Sequence, residues 1–136
     1  MTSIHCEVPI SRPAADAWSM LKCFGDAARL FAPVLIDCAI DGDVRTVTFA
    51  NGKVVRERLV GIDDLRHRLC YTVLGETFDH HSASMQVVPI DDLTCRFVWI
   101  SDILPDERGA LVGPLMEQGC QALVANVERG TPPRQA

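Results

Sequence analysis

The sequence has few aromatic residues and no excess of basic ones. Phe, Trp and Tyr make up 6% of the 136 residues, and 13 Lys and Arg stand against 18 Asp and Glu, for a formal charge of -5. A negatively charged chain repels a phosphate backbone, which argues against a nucleic-acid partner. No stretch approaches the ~20 apolar residues of a membrane span, and no basic segment followed by an apolar run opens the chain. We therefore expect a cytoplasmic protein with no membrane span.

The motifs that usually carry catalysis or cofactor binding are also missing. The sequence contains no nucleophile elbow, P-loop, dinucleotide-binding fingerprint or metal-binding motif. A metal site made of Cys70, Cys95, His80 and His81 is disfavoured, because adjacent residues on a strand point to opposite faces of the sheet. We expect no cofactor and no metal, and any catalysis would have to rest on polar side chains that point into the fold.

Cysteines are present but are spread at wide intervals, without a C-x-x-C pair. In a chain without an export signal, such cysteines are expected to stay reduced. We interpret them as thiols of the core: Cys6, Cys23, Cys38, Cys70, Cys95 and Cys120.

The length and the 48% share of apolar residues are typical of one compact domain with one core. The sequence shows no internal repeat, low-complexity segment or linker to a second domain. We expect the domain to occupy residues 1–130. The segment from Gly130 to Ala136, which contains two prolines, is expected to be a loose tail.

The hydrophobic pattern changes period twice along the chain. A strand at Ile4 to Val8 is followed by a helix with Ser11 as N-cap and Pro13 in its first turn, ended by Gly25, and by a second short helix over residues 26–31. Residues 34–101 alternate in the manner of about six strands in a meander. A helical period returns after Asp102 and ends at Gly130. The helix face comprises Val112, Leu115, Met116, Gly119, Leu123 and Val127.

This order predicts an α+β fold in which a curved antiparallel sheet of six to seven strands buries the C-terminal helix against its concave face. Gly113 and Pro114 fall early in that helix, so either the helix kinks there or Pro114 begins it. Alternation along the strands places these side chains on the inner face: Tyr71, His81, Met85, Phe97 and Trp99.

The hairpin around Asn51-Gly52 can be closed in two ways, which differ by one residue in register. A two-residue turn sets Glu57 opposite Thr46, whereas a three-residue turn with a left-handed Gly52 sets it opposite Arg45. Only the three-residue turn brings the apolar residues of both strands to one face, and it carries Arg45 and Glu57 there too. The pair is either a salt bridge of the core that fixes register or a polar anchor for a ligand.

These residues resemble a known family. The stretches from Val44 to Gly52 and from Val55 to Leu59, the later Tyr71, and the Pro-x-x-x-x-Trp start at Pro13 are similar to polyketide cyclase/dehydrase-like bacterial members of the START-like (SRPBCC) superfamily. The resemblance runs from Ile4 to about Glu128. It implies the helix-grip fold, in which a long C-terminal helix lies across a bent antiparallel sheet and leaves an internal cavity for an apolar molecule.

The resemblance carries over the family's Arg, Glu and Tyr to Arg45, Glu57 and Tyr71. His81 departs from it, since a tyrosine or another polar residue is expected there. Together with the inner-face residues, these positions give a candidate ligand-binding site and leave catalytic residues unassigned. Its members are Arg45, Glu57, Tyr71, His81, Met85, Phe97, Trp99, Met116 and Gly119.

Three functions are compatible with this pattern. The first is a carrier or sensor that binds a small, largely apolar, lipid- or polyketide-like ligand between sheet and helix. The second is a cyclase/dehydratase-type enzyme in which His81 or Tyr71 moves a proton and Arg45 stabilises an enolate. The third is a non-catalytic interaction domain that binds a partner, such as a second copy in a homodimer, through its sheet edge or helix and has only an incidental cavity. A fold of this kind does not by itself choose among them.

Overall fold

The computed structural model describes residues 2–130, which form one antiparallel sheet with helices on its concave side. The strands are β1 (Thr2–Ile10), β2 (Leu35–Asp41), β3 (Val44–Phe49), β4 (Val54–Asp63), β5 (Arg68–Leu74), β6 (His80–Pro89) and β7 (Cys95–Leu104). The helices are α1 (Ala14–Leu21), α2 (Ala27–Leu30) and α3 (Gly109–Arg129), with 3-10 turns at Phe24–Asp26 and Asp106–Arg108. The predicted tail, residues 131–136, lies outside the described residues.

The sheet is a meander with one exception at its edge. Strands β2 to β7 pair with their neighbours in chain order, and β1 adds to β7, which gives the order β1-β7-β6-β5-β4-β3-β2. The register slips after Leu35 in β2 and after Leu59 in β4. Bulges of this kind bend a strand and increase its twist, which helps the sheet to curve around α3. The predicted α+β helix-grip fold is thereby confirmed.

The short helices after β1 differ in detail from the prediction. Ser11 does not cap α1. The N-cap is Pro13, whose carbonyl accepts the first hydrogen bonds of the helix, and the Ser11 N–H donates to the carboxylate of Glu128 at 2.8 Å. The helix also ends at Leu21, ahead of Gly25, which lies in the 3-10 turn. The second helix is a single turn, α2, shorter than the predicted residues 26–31. Helical periodicity could not show where the chain tightens from α-helix to 3-10 turn.

The β3–β4 hairpin has the three-residue turn. Phe49 N–H donates to the Lys53 carbonyl at 2.8 Å, and Gly52 between them has φ of +90°, a conformation that glycine adopts at little cost. Arg45 lies directly opposite Glu57, as the apolar pattern predicted. Both side chains are buried on the concave face.

The inner faces of the next strands are also as predicted. Leu69, Tyr71, Ala83, Met85 and Val87 are buried, and their sequence neighbours on the outer face are half-buried or exposed. Phe97 is completely buried, and Trp99 on the same face is half-buried beneath α3. Period-2 alternation was therefore a sufficient guide to the direction of these side chains.

Helix α3 packs against β1, β7 and α2. Pro114 lies inside the helix, so the alternative in which it begins the helix is wrong.

Asn126, in the C-terminal half of α3, donates from its side-chain amide to the carbonyls of Leu30 at 2.9 Å and Ala32 at 2.8 Å, which ties α3 to α2 and the residues that follow it. At its C-terminal end, Arg12 donates to the carbonyls of Val127 and Gly130 at 3.0 and 2.7 Å. A cation is favourable at this end of a helix dipole.

All six cysteines are free thiols. Burial raises the pKa of the Cys120 thiol on α3 to about 12, and the neighbouring Cys6 on β1 acts in the same direction. Among the helices of residues 2–130, none is both long enough and apolar enough to cross a membrane.

Helix α3 approaches the middle of the sheet closely at Gly119. A Cβ atom built there would lie 2.9 Å from Cζ3 of Trp99, nearer than such atoms approach in real proteins. The Trp99 ring is held from two other sides, by Phe31 at 5.6 Å between ring centroids and by a hydrogen bond to Tyr71. Glycine at this position therefore allows the helix to lie directly on the indole.

We predict that Gly119→Ala lowers the free energy of unfolding by about 1 kcal/mol, because overpacking against a held ring outweighs a gain of up to ~1 kcal/mol in helix propensity. Urea unfolding, monitored by circular dichroism, measures this. Adding Trp99→Phe should relieve the clash. The double variant should therefore lose less free energy of unfolding than the two single variants lose in sum. A more stable Gly119→Ala variant would show that the contact is not tight.

Candidate functional site

A cavity of about 350 Å³ lies between the sheet and α3. Its sheet wall comes from β3 to β7, and its roof comes from the first half of α3 and the residues around Phe31. At roughly 30 Å³ for each water molecule, the volume corresponds to about ten waters, and it falls within the range of small-molecule pockets. The cavity is therefore larger than a packing defect.

The wall of the cavity is mostly apolar. Side chains of Val47, Val55, Val73, Met85, Val112 and Met116 contribute to it. Among the lining residues, Lys53, Val54, Arg56, Thr77 and Leu111 are exposed, so they surround the opening. The opening thus lies between the β3–β4 hairpin, the β5–β6 loop and the start of α3.

Eight of the nine residues predicted for the site line the cavity: Arg45, Glu57, Tyr71, His81, Met85, Trp99, Met116 and Gly119. Phe97 does not. It packs below Trp99, with 6.1 Å between ring centroids, in the part of the core that α3 covers completely. The face of Phe97 was predicted correctly, but its position along the strand places it beyond the cavity.

Arg45 and Glu57 form a closed ion pair at one side of the cavity. Nε of Arg45 donates to Oε1 of Glu57 at 2.8 Å, and Nη1 donates to the carbonyl of Phe24 at 3.1 Å. The guanidinium also lies 3.9 Å from the ring centroid of Phe24 and 5.2 Å from that of Tyr71. Ion pairing, a backbone bond and cation–π contact together offset the loss of hydration of both charges.

Tyr71 is buried beside this pair and keeps its proton. Burial raises the pKa of its phenol above the usual range, and the nearby Glu57 carboxylate acts in the same direction. The indole Nε1 of Trp99 donates to the Tyr71 oxygen at 3.2 Å. Since an indole N–H can only donate, the Tyr71 oxygen is the acceptor here, and its own O–H remains available to donate.

His81 and Ser101 differ from the other polar residues of the cavity. Within residues 2–130, both ring nitrogens of His81 and the Oγ of Ser101 are buried without a hydrogen-bond partner in the protein. His81 contacts the edge of the Phe78 ring at 4.7 Å between centroids. Burial, and to a smaller extent His80, lowers the pKa of His81 from 6.5 to about 4, so its imidazole is neutral at pH 7.

Sequence reasoning missed Ser101 and several apolar lining residues, including Phe78, Leu111 and Leu115. A signal for Ser101 existed, because it continues the inner-face series of Phe97 and Trp99 at a spacing of two. In the sequence analysis, the strand instead ends at Ser101.

For residues 2–130, the structure brings no three His, Cys, Asp or Glu side chains together in a way that could hold a metal ion.

The buried His81 predicts a loss of stability in mild acid. Its pKa is 6.5 when unfolded and about 4 when folded, so the unfolded chain binds its proton first as the pH falls. The contribution of His81 to stability is complete above pH 6.5 and disappears as the pH falls to about 4, with a loss of up to ~3 kcal/mol. Urea unfolding of the wild type, His81→Phe and the exposed control His80→Gln over this range should show a flatter profile for His81→Phe alone.

The chain matches a family described as "Polyketide cyclase / dehydrase and lipid transport" over residues 1–130. No curated protein matches it. Among solved structures, a protein from Thermobifida fusca is 26% identical with a TM-score of 0.77, and the alignment covers 99% of this chain and 100% of that one.

Two enzymes have the same fold at lower identity. The Zhui aromatase/cyclase from Streptomyces sp. R1128 is 18% identical, with a TM-score of 0.76 and coverage of 93% of this chain and 91% of that one. Norcoclaurine synthase from Thalictrum flavum, in complex with dopamine and hydroxybenzaldehyde, is 18% identical, with a TM-score of 0.74 and coverage of 94% and 84%. The apolar cavity and the family match together describe a domain of the hydrophobic-ligand-binding type. The chain belongs to the polyketide cyclase/dehydrase and lipid transport family, within the START-like (SRPBCC) superfamily.

Proposed function

We propose that this domain binds one small, largely apolar molecule, lipid- or polyketide-like, in the cavity between the sheet and α3. The observation that carries the proposal is the cavity itself, about 350 Å³ with a mostly apolar wall. A few polar groups in an apolar pocket are the usual layout of a small-molecule site. The volume suits a ligand of one to three rings or a short chain, and the exposed residues at the opening give it a route inward.

The cyclase/dehydratase alternative needs His81 or Tyr71 to move a proton and Arg45 to stabilise negative charge. The neutral imidazole of His81 is compatible with a base. Arg45, however, is already bonded to Glu57 and to the Phe24 carbonyl, so its charge is compensated before any substrate enters. For this reason we place binding first and regard the Arg45–Glu57 pair as part of the scaffold.

The first test fills the cavity. Leu115 is a half-buried lining residue of α3, so Leu115→Trp should project bulk into the cavity with little disturbance of the packed core. We expect the affinity for the uncharged fluorophore N-phenyl-1-naphthylamine to fall at least tenfold, as measured by fluorescence titration. Gln118→Trp, at an exposed position of the same helix, is the matched control and should bind as the wild type does.

Equal binding by the wild type and both tryptophan variants would contradict the proposal, since the probe would then bind outside the cavity. Native mass spectrometry of protein purified from its own host adds an independent observation. A retained small molecule that Leu115→Trp fails to retain would identify the class of the natural ligand.

The second test separates scaffold from ligand anchor. Glu57→Gln leaves the Arg45 charge buried without its partner and should lower the free energy of unfolding by well over the ~0.5 kcal/mol of a surface change, toward 3–5 kcal/mol. Arg45→Met with Glu57→Leu should recover much of this loss and still bind N-phenyl-1-naphthylamine. Urea unfolding and the same titration measure both effects.

Asp43→Asn serves as the control for this pair. It removes an exposed ion pair in the same hairpin, between Asp43 and Arg58 at 3.9 Å, and should change stability by less than ~0.5 kcal/mol. If the double variant folds but no longer binds the fluorophore, the pair anchors the ligand and our assignment of it to the scaffold is wrong.

A further inference from the structure

Tyr71, His81 and Ser101 lie near one another on the concave face of three neighbouring strands. Tyr71 on β5 is opposite Ala83 on β6, and Ala83 is opposite Ser101 on β7, so these three residues form one row across the sheet. His81 lies two positions from Ala83 on β6, in the next row on the same face. Neighbours in one row are about 5 Å apart, so Tyr71 and Ser101 are about 10 Å apart at the sheet, and the small side chain of Ala83 leaves the space between them open.

The hydrogen-bonding capacity of this group is not used up within the protein. His81 has both ring nitrogens unpartnered, and Ser101 has its hydroxyl unpartnered, although they are 8% and 1% exposed. Tyr71 accepts a bond from Trp99 and has its phenolic O–H left to donate. All three side chains line one cavity and can therefore bond to polar groups of a ligand there, since hydroxyls and a neutral imidazole both donate and accept.

Among the cavity-lining residues of the described segment 2–130, none places an unpaired charge against this group. The charged lining residues inside the cavity, Arg45 and Glu57, are bonded to each other, and the other two, Lys53 and Arg56, are exposed at the opening. A carboxylate placed beside His81 and Ser101 would lose its hydration without gaining a cation, which is costly. A carbonyl or hydroxyl oxygen would lose less and would gain hydrogen bonds.

We propose that Tyr71, His81 and Ser101 form a subsite for an uncharged oxygen-bearing group, so that the cavity selects a neutral ketone or alcohol over a carboxylic acid of the same shape. The inference rests on the proposed function, because it assumes that a ligand occupies the cavity. It adds the chemistry of that ligand: an apolar body with a carbonyl or hydroxyl oxygen at its inner end.

Three probes of nearly equal shape test the proposal: 2-acetylnaphthalene, 2-naphthoate and the hydrocarbon 2-ethylnaphthalene. Each is titrated by displacement of N-phenyl-1-naphthylamine at pH 7. We expect the ketone to bind about three- to tenfold more tightly than the hydrocarbon, the range of one net hydrogen bond, and at least tenfold more tightly than the carboxylate. If neither the fluorophore nor any of the three probes binds, the proposed function itself fails. If all bind with equal affinity, the function stands and the subsite is refuted.

Ser101→Ala isolates the subsite with little risk to folding, because it removes a buried hydroxyl that has no partner in the protein. It should reduce the affinity for the ketone about two- to tenfold and leave the affinity for the hydrocarbon unchanged. His81→Phe should have the same selective effect. Ser84→Ala, on the outer face of β6, is the matched control and should change neither affinity.

A carboxylate that binds as tightly as the ketone would overturn the proposal. Lys53→Met shows where such a carboxylate sits: a loss of its affinity in this variant alone places it at the opening, and the ligand would then enter with its charged group outward. A ketone whose affinity is unaffected by both Ser101→Ala and His81→Phe would also refute the subsite.

Discussion

The contact between Trp99 and α3 fixes how closely the helix lies on the sheet beside the cavity. Gly119 lets the helix lie on the indole, and the larger part of the core, with Phe97, Leu123 and Val127, closes on one side of that contact. On the other side, a smaller cluster of Ile103, Val112 and Met116 holds the beginning of the helix. Trp99 packs against both clusters. Because the indole is rigid and hydrogen-bonded to Tyr71, it sets the height of α3 above the sheet, and the space between the clusters is the cavity.

Charge inside the cavity is balanced before a ligand enters. The β3–β4 register brings one cation and one anion to the inner face together, and burial without this pairing would cost several kcal/mol. Tyr71 keeps its proton and His81 does not gain one at neutral pH, for the same reason: a buried group avoids its charged form. The inner wall is thus polar at a few points but carries no net charge, which suits an apolar molecule with few polar groups.

Much of this could be predicted from the sequence, and the remainder has a physical explanation. Alternation with a period of two gave the direction of Tyr71, His81 and Met85, and the apolar pattern of β3 and β4 selected the three-residue turn and with it the Arg45–Glu57 register. Alternation does not show where along a strand the helix lifts away, so Phe97 was assigned to the cavity and Ser101 was not. A glycine on the sheet-facing side of α3 indicates close packing against Trp99, but the height of the helix depends on how tight that contact is, and residues 99 and 119 are too far apart on the chain for a local pattern to show it. The N-cap of α1 was also wrong: the cap is Pro13, and Ser11 instead bonds through its backbone N–H to Glu128 at the far end of the chain.

The two unpartnered residues of the cavity also bear on how this fold relates to its function. A buried polar group without a hydrogen bond costs about 1–3 kcal/mol, whereas an apolar side chain of similar shape at the same position is nearly neutral. His81 and Ser101 have no partner within the protein, so their hydrogen bonds depend on what occupies the cavity. A ligand that bonds to both keeps these groups satisfied and also gains from the apolar wall. A purely apolar molecule of the same shape would displace water from both groups and leave them unsatisfied, so the two residues make the cavity selective for a ligand that carries a polar group.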